Sequence, residues 1–336
     1  MKYNILICNS NMFVPQVLST VLENVNNNYI IYTDQDGMFR LFNELKIPNT
    51  LVLKFPSFYS KIKLFKIKRD MLNQLKPYTI ESITFYHTEY GELANWLIGK
   101  YSSHVHIYFQ PPYRSWELKH SYSLRDLLHI VKEYILFNTE VYVLNVGEKK
   151  YFSMAPKFYA KNKVKVLESH INENVISDYV KNIYGFSNSN NTSFVLLNGA
   201  IRAAGIEEKE YETITDQIIN FVGAENIYTK CHPRFDDLYG LEKTIKFIPS
   251  YIPISLILDS FDVFIGYWST GLVEAAKKGK VVISTLDIMP QLQKGRIEVE
   301  RKVLLDKLEG KGIIYFPKNL QELFKLLTEY KNNSSK

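Results

Sequence analysis

Cysteine is nearly absent from this sequence of 336 residues, which contains only Cys8 and Cys231. Both lie in short apolar segments that are typical of buried β-strands. Two distant cysteines cannot form the disulfide framework of a small secreted domain, and their spacing matches no zinc site. We therefore expect a protein of a reducing compartment, the cytoplasm, without a metal centre.

Other common signatures are missing as well. No apolar run approaches the roughly eighteen residues that a membrane-spanning helix needs. The sequence contains no Gly-x-Gly-x-x-Gly dinucleotide fingerprint, no phosphate-binding P-loop and no Gly-x-Ser-x-Gly nucleophile elbow. These absences argue against an integral membrane protein and against the enzyme classes that such motifs mark.

Positive charge is in mild excess, because 41 Lys and Arg against 35 Asp and Glu give a net charge of +6. This balance suits an anionic ligand or a membrane surface. No nucleic-acid-binding module accompanies the charge, so we expect no nucleic-acid partner. The basic residues are densest at Lys61, Lys63, Lys66, Lys68 and Arg69. This run is either a solvated helix face or a contact for anionic lipid headgroups or a phosphate-bearing acceptor.

Predicted strands and helices alternate along the first half of the chain. Segments typical of strands cover residues 2–8, 29–33, 50–54, 82–87 and 104–110. Helical patterns cover residues 14–24, 37–45, 61–75, 91–100 and 118–136. Such alternation predicts a mainly parallel α/β sheet with helices on both faces.

A second alternation follows the polar tract of residues 187–192. Its predicted strands are residues 194–198, 227–231, 245–247, 263–266, 281–284 and 313–316, and its predicted helices are 207–222, 271–277 and 320–330. Two successive α/β halves with a turn-rich joint predict the GT-B arrangement. In that arrangement two Rossmann-like domains, here residues 1–185 and 192–330, have a ligand cleft between them.

The first candidate site residue is His232, which follows the predicted strand of residues 227–231 and precedes Pro233. Ligands of doubly wound sheets lie beyond the carboxyl ends of the strands, so His232 is placed to bind a leaving phosphate or to protonate it. Pro233 fixes the backbone angle φ and stiffens the turn. A structural histidine is the alternative, which we prefer for the other six histidines.

Ser269 and Thr270 form the second candidate, since they follow a predicted strand and precede a predicted helix. The unpaired N–H groups of a helix N-terminus attract phosphate, and the two hydroxyl groups can add hydrogen bonds to the same anion. The alternative is that both residues serve as ordinary helix caps.

The third candidate lies after the strand of residues 194–198. Gly199 there would let a ligand approach the backbone closely. Glu207 and Glu208 stand at the start of the next predicted helix, where the helix dipole favours carboxylates. A sugar transferase that inverts the anomeric carbon also needs a base for the acceptor hydroxyl, and Glu207 is suited to that task.

Together these segments resemble the bacterial sialyltransferases of glycosyltransferase family 52, the lipooligosaccharide and capsule type. The similarity covers roughly residues 194–275. It rests on Val195-Leu196-Leu197-Asn198-Gly199, His232-Pro233-Arg234, residues 250–258 and residues 264–270. The resemblance implies a GT-B fold, a CMP-sialic acid donor, inversion at the anomeric carbon, and neither metal nor cofactor.

The resemblance also implies roles for individual residues. His232 would be the general acid or the phosphate partner, and Glu207 the base, with Glu208 as the second choice. The other residues that would form the donor site are Gly199, Pro233, Arg234, Ser269 and Thr270.

The sequence departs from the family pattern at two places. The paired acidic motif expected after residues 104–109 is replaced by Gln110-Pro111-Pro112, and Arg202-Ala203-Ala204-Gly205 stands where some relatives carry acidic residues. Both departures concern the base and leave the donor-phosphate site intact. Glu89 and Glu92 are alternative carboxylates on the acceptor side, unless they cap a helix.

The sequence therefore predicts an inverting sialyltransferase. Its partners would be a nucleotide-sugar donor and a galactose-containing glycan acceptor of a bacterial surface polysaccharide, including a lipid-linked one. The protein would be cytoplasmic, with peripheral contact to the inner face of the membrane. One alternative is a GT-B transferase with another nucleotide-sugar donor, in which Glu274 would bind ribose. The other is a non-catalytic relative that binds glycan or nucleotide, which the missing acidic motif favours.

Overall fold

The computed structural model describes residues 1–56, 63–86, 93, 96, 97, 105–108, 124, 125, 127, 128, 131, 135, 139–146, 149–156, 164, 165, 171–184, 193–199, 201, 206–232, 246–289 and 294–333. The chain divides into two compact units, Met1–Val175 and Ile176–Lys336. This division falls within the helix Glu173–Tyr184. The polar tract of residues 187–192, where the sequence predicts the joint, lies outside the described residues.

The first unit is built on a six-stranded parallel sheet with the order β3-β2-β1-β4-β5-β8. A separate pair, β6 and β7, is antiparallel. The strands are β1 (Lys2–Cys8), β2 (Asn28–Thr33), β3 (Thr50–Lys54), β4 (Thr79–Tyr86), β5 (Val105–Tyr108), β6 (Thr139–Val146), β7 (Lys149–Pro156) and β8 (Val164–Lys165). The helices are α1 (Val14–Glu23), α2 (Asp36–Leu45) and α3 (Leu64–Leu75), and α4 (Glu173–Tyr184) follows them.

The second unit contains a five-stranded parallel sheet with the order β11-β10-β9-β12-β13. Its strands are β9 (Phe194–Leu197), β10 (Ile227–Lys230), β11 (Lys246–Ile248), β12 (Val263–Gly266) and β13 (Val281–Ser284). Its helices are α5 (Glu208–Val222), α6 (Thr270–Lys277), α7 (Lys294–Leu308) and α8 (Leu320–Asn333).

Both sheets follow the same path through five strands. The first strand of each unit lies in the middle, the next two strands extend the sheet to one side, and the following two extend it to the other side. This order is that of a Rossmann-like sheet, in which ligands bind beyond the carboxyl ends of the strands. The predicted fold class, α/β with two Rossmann-like domains, is confirmed.

The cores explain why these segments fold as they do. Every residue of β9 is buried, as expected for a parallel strand covered on both faces. Helix α5 buries Tyr211, Ile214, Ile218 and Val222, which recur every three or four residues and therefore form one face of the helix. These side chains join one apolar cluster with β9, β12 and β13.

Several sequence predictions agree with the structure in their bounds, including the strands of residues 2–8, 50–54, 263–266 and 281–284. The predicted strand of residues 313–316 is wrong, because Tyr315 forms only an isolated bridge with Ile283. The hairpin of β6 and β7 and the helix α7 were not predicted. Helix α7 gave no signal because its apolar residues do not fall on one face.

A few large apolar side chains are exposed. Phe65 on α3 is 81% exposed. Exposed apolar residues at helical positions in the first unit also include Leu124, Leu127, Leu128, Val131 and Ile135. In the part of the chain that the structure describes, no helix combines the length and the apolar character needed to cross a bilayer.

Candidate functional site

Three neighbouring strands of the second unit end level with one another. Strand β9 pairs with β10 and with β12, and the register places Leu197 beside both Lys230 and Gly266. The chain then leaves the sheet through Asn198-Gly199, Cys231-His232 and Tyr267-Trp268. Adjacent strands lie about 4.8 Å apart, so the three predicted segments begin within roughly 10 Å of one another. We call this the second-unit edge.

Hydrogen bonds between neighbouring segments fix the second-unit edge. The backbone N–H of Asn198 donates to the carbonyl oxygen of Lys230 at 2.8 Å. On the other side, the Thr285 N–H donates to the Gly266 carbonyl at 2.9 Å, and the buried Ser284 hydroxyl donates to the Tyr267 carbonyl at 2.9 Å. The loops therefore start from positions that are set before any ligand binds.

Lys230 is a buried lysine at the end of β10, with 4% of its surface exposed. Its Nζ atom donates to the carbonyl oxygen of Cys231 at 3.2 Å and to that of Ser250 at 3.1 Å. Burial lowers the pKa of Lys230 to about 8, because the charged amine is held away from water. The side chain thus connects the loop that carries His232 to the loop after β11.

His232 is half-buried and follows the buried Cys231 directly. It stands two residues beyond the end of β10, at the second-unit edge. Pro233 and Arg234, the next two predicted donor-site residues, lie outside the described residues.

Ser269 caps helix α6. Its Oγ atom accepts a hydrogen bond from the backbone N–H of Gly271 at 3.1 Å, and Thr270 is the exposed first residue of the helix. The capping alternative raised by the sequence is therefore what the structure shows for Ser269. A hydroxyl group that accepts one hydrogen bond still has its own proton to donate, so capping leaves Ser269 able to bind an anion at the helix N-terminus.

Two glycines allow close packing behind this helix N-terminus. A Cβ atom on Gly271 would lie 2.6 Å from the Cγ2 atom of Ile254, and one on Gly266 would lie 3.0 Å from the Leu197 carbonyl oxygen. Gly199 has more room, since its Cβ would lie 3.4 Å from the Trp268 carbonyl oxygen. Gly199 thus packs against the backbone that leads into α6.

A second group of polar side chains lies around α6. The Trp268 ring lies under the Lys307 Nζ atom at 5.3 Å, and its buried Nε1 atom has no hydrogen-bond partner within the described ranges. Glu274 lies on the second turn of α6. Burial raises the pKa of Glu274 to about 7, although nearby Lys277 and Lys307 act in the opposite direction.

Two of the predicted carboxylates, Glu207 and Glu208, stand at the start of α5. Glu207 is exposed and caps α5 with its backbone, because its carbonyl accepts from the Tyr211 N–H at 3.1 Å. Glu208 is the half-buried first residue of that helix. Glu89 and Glu92 lie outside the described residues. Among the residues that are described, no three His, Cys, Asp or Glu side chains gather as a metal site would require.

The corresponding edge of the first sheet, the first-unit edge, carries different chemistry. Asn9 follows β1, is 8% exposed, and its Oδ1 atom has no hydrogen-bond partner in the described structure. Asp34 follows β2 and accepts a hydrogen bond from the Gln35 side chain at 3.2 Å. Burial raises the pKa of Asp34, and burial raises that of the Cys8 thiol to about 12.

Sequence reasoning missed Lys230, Trp268 and Asn9 at these edges. The predicted strand that runs through Lys230 to Cys231 was a usable signal, because a lysine is buried in a strand only when its amine finds partners. Trp268 stood within a matched motif, but nothing in the sequence indicates that its Nε1 atom is buried.

Two successive Rossmann-like units, with the candidate residues beyond the strand ends of the second, define a protein of the GT-B fold class. Solved structures with this fold are similar to the chain. A sialyltransferase from Photobacterium damsela is 13% identical, with 94% of this chain and 81% of that one covered and a TM-score of 0.50. The wall teichoic acid polymerase TagF is 9% identical, with 100% and 82% covered and a TM-score of 0.50.

These similarities establish the fold and nothing finer. No protein-family model matches the sequence, and a comparison with curated proteins finds no match.

Proposed function

We propose that this chain is an inverting sialyltransferase, which moves sialic acid from CMP-sialic acid to a hydroxyl group of a galactose-containing glycan acceptor. The observation that carries the proposal is the second-unit edge. There Gly199, His232 and Ser269 follow three neighbouring strands that end level with one another. The resemblance of these segments to family 52 indicates that the transferred sugar is sialic acid. One protein with a similar fold is itself named as a sialyltransferase.

The donor phosphate would bind at the N-terminus of α6. The helix dipole favours an anion there, beside the Gly271 N–H that donates to the Ser269 Oγ atom. The Ser269 and Thr270 hydroxyl groups would donate to phosphate oxygens, and His232 would approach from the neighbouring strand end. Pro233 and Arg234 follow His232 in sequence and would complete the phosphate site.

The transfer step would be a direct displacement. The acceptor oxygen forms a bond to the anomeric carbon of sialic acid as the bond from that carbon to the CMP phosphate oxygen breaks. The electron pair leaves with CMP, where His232 protonates or neutralises it. Glu207 takes the proton of the acceptor hydroxyl, with Glu208 as the second candidate. No metal takes part in these steps, so activity should persist in a chelator.

A different nucleotide-sugar donor is the second candidate, and Glu274 is compatible with it as well as with CMP. A carboxyl group on the second turn of α6 is suited to accept hydrogen bonds from ribose hydroxyl groups, whichever base the nucleotide carries. A panel of CMP-, UDP- and GDP-linked sugars therefore belongs in the first experiment.

The test is release of nucleotide from each donor, with and without a galactose-terminated acceptor and with EDTA present. Acceptor-dependent release of CMP from CMP-sialic acid is the expected result. Release of another nucleotide alone would replace the sialyl donor and keep the transferase. Binding of CMP without its release on any acceptor tested would favour the non-catalytic alternative. If CMP is neither bound nor released, the proposal is overturned.

A further inference from the structure

The outer face of α3 combines one exposed aromatic side chain with exposed basic residues. Phe65 is 81% exposed, which is the highest value among the aromatic residues that the structure describes. Lys63, Lys66 and Arg69 are also exposed. No carboxylate in the described part of the chain pairs with any of these three cations. We call Lys63, Phe65, Lys66 and Arg69 the α3 face.

Helix geometry places these residues together. Met71 and Leu75 are the buried residues of α3 and mark the side that packs on the first unit. Phe65 and Arg69 are four residues apart and Lys66 and Arg69 three apart, so each pair is adjacent on the surface. Lys68 points differently, since its Nζ atom lies over the Trp96 ring at 5.7 Å.

We infer that the α3 face docks the protein on an anionic membrane surface, with Phe65 inserted among the lipid headgroups. Aromatic and basic side chains are residue types that anchor proteins at the membrane interface. Each basic residue near an anionic leaflet strengthens binding by about fivefold. This inference does not depend on the identity of the sugar donor.

The experiment is vesicle co-sedimentation of the full chain. Vesicles of phosphatidylglycerol and phosphatidylcholine are compared with vesicles of phosphatidylcholine alone, at low and high salt. We expect binding to the anionic vesicles that weakens with salt. Phe65→Ser should weaken it about tenfold, because the aromatic ring no longer leaves water on binding. The double variant Lys66→Glu and Arg69→Glu should weaken it by more than tenfold.

A matched control comes from the second unit. Phe247 is 43% exposed and stands beside Lys246, so Phe247→Ser removes a similar side chain from a different surface. It should bind vesicles as the unchanged protein does. Because Phe65, Lys66 and Arg69 are exposed, their variants should keep the thermal unfolding temperature. The inference is overturned by equal binding to both vesicle types, by wild-type binding of the Phe65 variant, or by an equal loss in the Phe247 control.

Discussion

The two sheets of this protein share one strand order but differ in what stands beyond their strand ends. At the second-unit edge the loops are held by hydrogen bonds and by Lys230, and they present a histidine and a capped helix N-terminus. At the first-unit edge stand the amide of Asn9 and the half-buried carboxyl group of Asp34. Topology therefore decides where a ligand can bind, and the one or two residues after each strand decide which ligand it is.

The largest expected effect is that of a substitution at the second-unit edge. His232→Ala should lower acceptor-dependent CMP release by about a hundredfold or more, because the leaving phosphate loses its acid or its neutralising partner. Steady-state kinetics measure the rate of CMP release, and calorimetric titration measures the affinity for CMP.

Asn9→Ala is the comparison for this test. It changes the first-unit edge, so the affinity for CMP should stay at the wild-type value. Equal weakening of CMP binding by both substitutions would remove the distinction between a phosphate-binding edge and the other edge.

Lys230→Met should destabilise the fold by about 2 kcal/mol, because two buried carbonyl groups lose their donor. The stability difference between this variant and the wild type should depend on pH. The pKa of Lys230 is about 8 in the folded chain and near 10.5 in the unfolded one. Between these values the unfolded state holds the extra proton, so stability rises with pH. Unfolding in denaturant at about pH 7.5 and about pH 9.5, on the two sides of the lowered pKa, measures the stability difference.

Lys246→Met on the neighbouring strand is the control, because the Nζ atom of this half-buried lysine lies over the face of the Tyr228 ring, at 4.9 Å. Its stability difference is measured at the same two pH values for comparison. A pH-independent effect of Lys230→Met would contradict the lowered pKa.

Glu274→Gln should act with the opposite pH dependence. The folded chain keeps the Glu274 proton up to about pH 7, whereas the unfolded chain releases it near 4.5. Wild-type stability from this group is present below pH 4.5 and is lost as the pH rises to 7. The glutamine variant should thus match the wild type at acid pH and exceed it by about 3 kcal/mol above neutrality. Thermal melts across that range would show a constant difference if the carboxyl group were solvated.

Ser269→Ala is expected to have the smallest effect on stability, about 1 kcal/mol, because one cap is lost. CMP affinity should fall as well. Thr270→Ala is the matched change, since Thr270 is exposed and makes no cap. It should weaken CMP binding without lowering the unfolding temperature. If neither substitution changes CMP affinity, the phosphate does not lie at this helix N-terminus.

The sequence allowed the architecture of the second unit to be predicted because its strands are short, apolar and separated by clear helical patterns. The sequence also predicted that Gly199, His232 and Ser269 lie at one edge, because the residues that follow parallel strands lie at the same edge of the sheet. The hydrogen bonds of Lys230 could not be predicted, because its partner Ser250 is twenty residues away in sequence. Helix α7 escaped because it lacks one apolar face, and the exposure of Phe65 depends on how α3 packs.

Lys230 also gives the protein a built-in chemical reporter. An amine whose pKa is near 8 is partly unprotonated in mildly alkaline buffer and is then a nucleophile, but its burial keeps acylating reagents away from it. Acylation can proceed only while the loops of Cys231 and Ser250 separate. The rate at which this one lysine is labelled therefore measures how often the histidine loop opens, and a ligand that holds the loop closed would slow that rate.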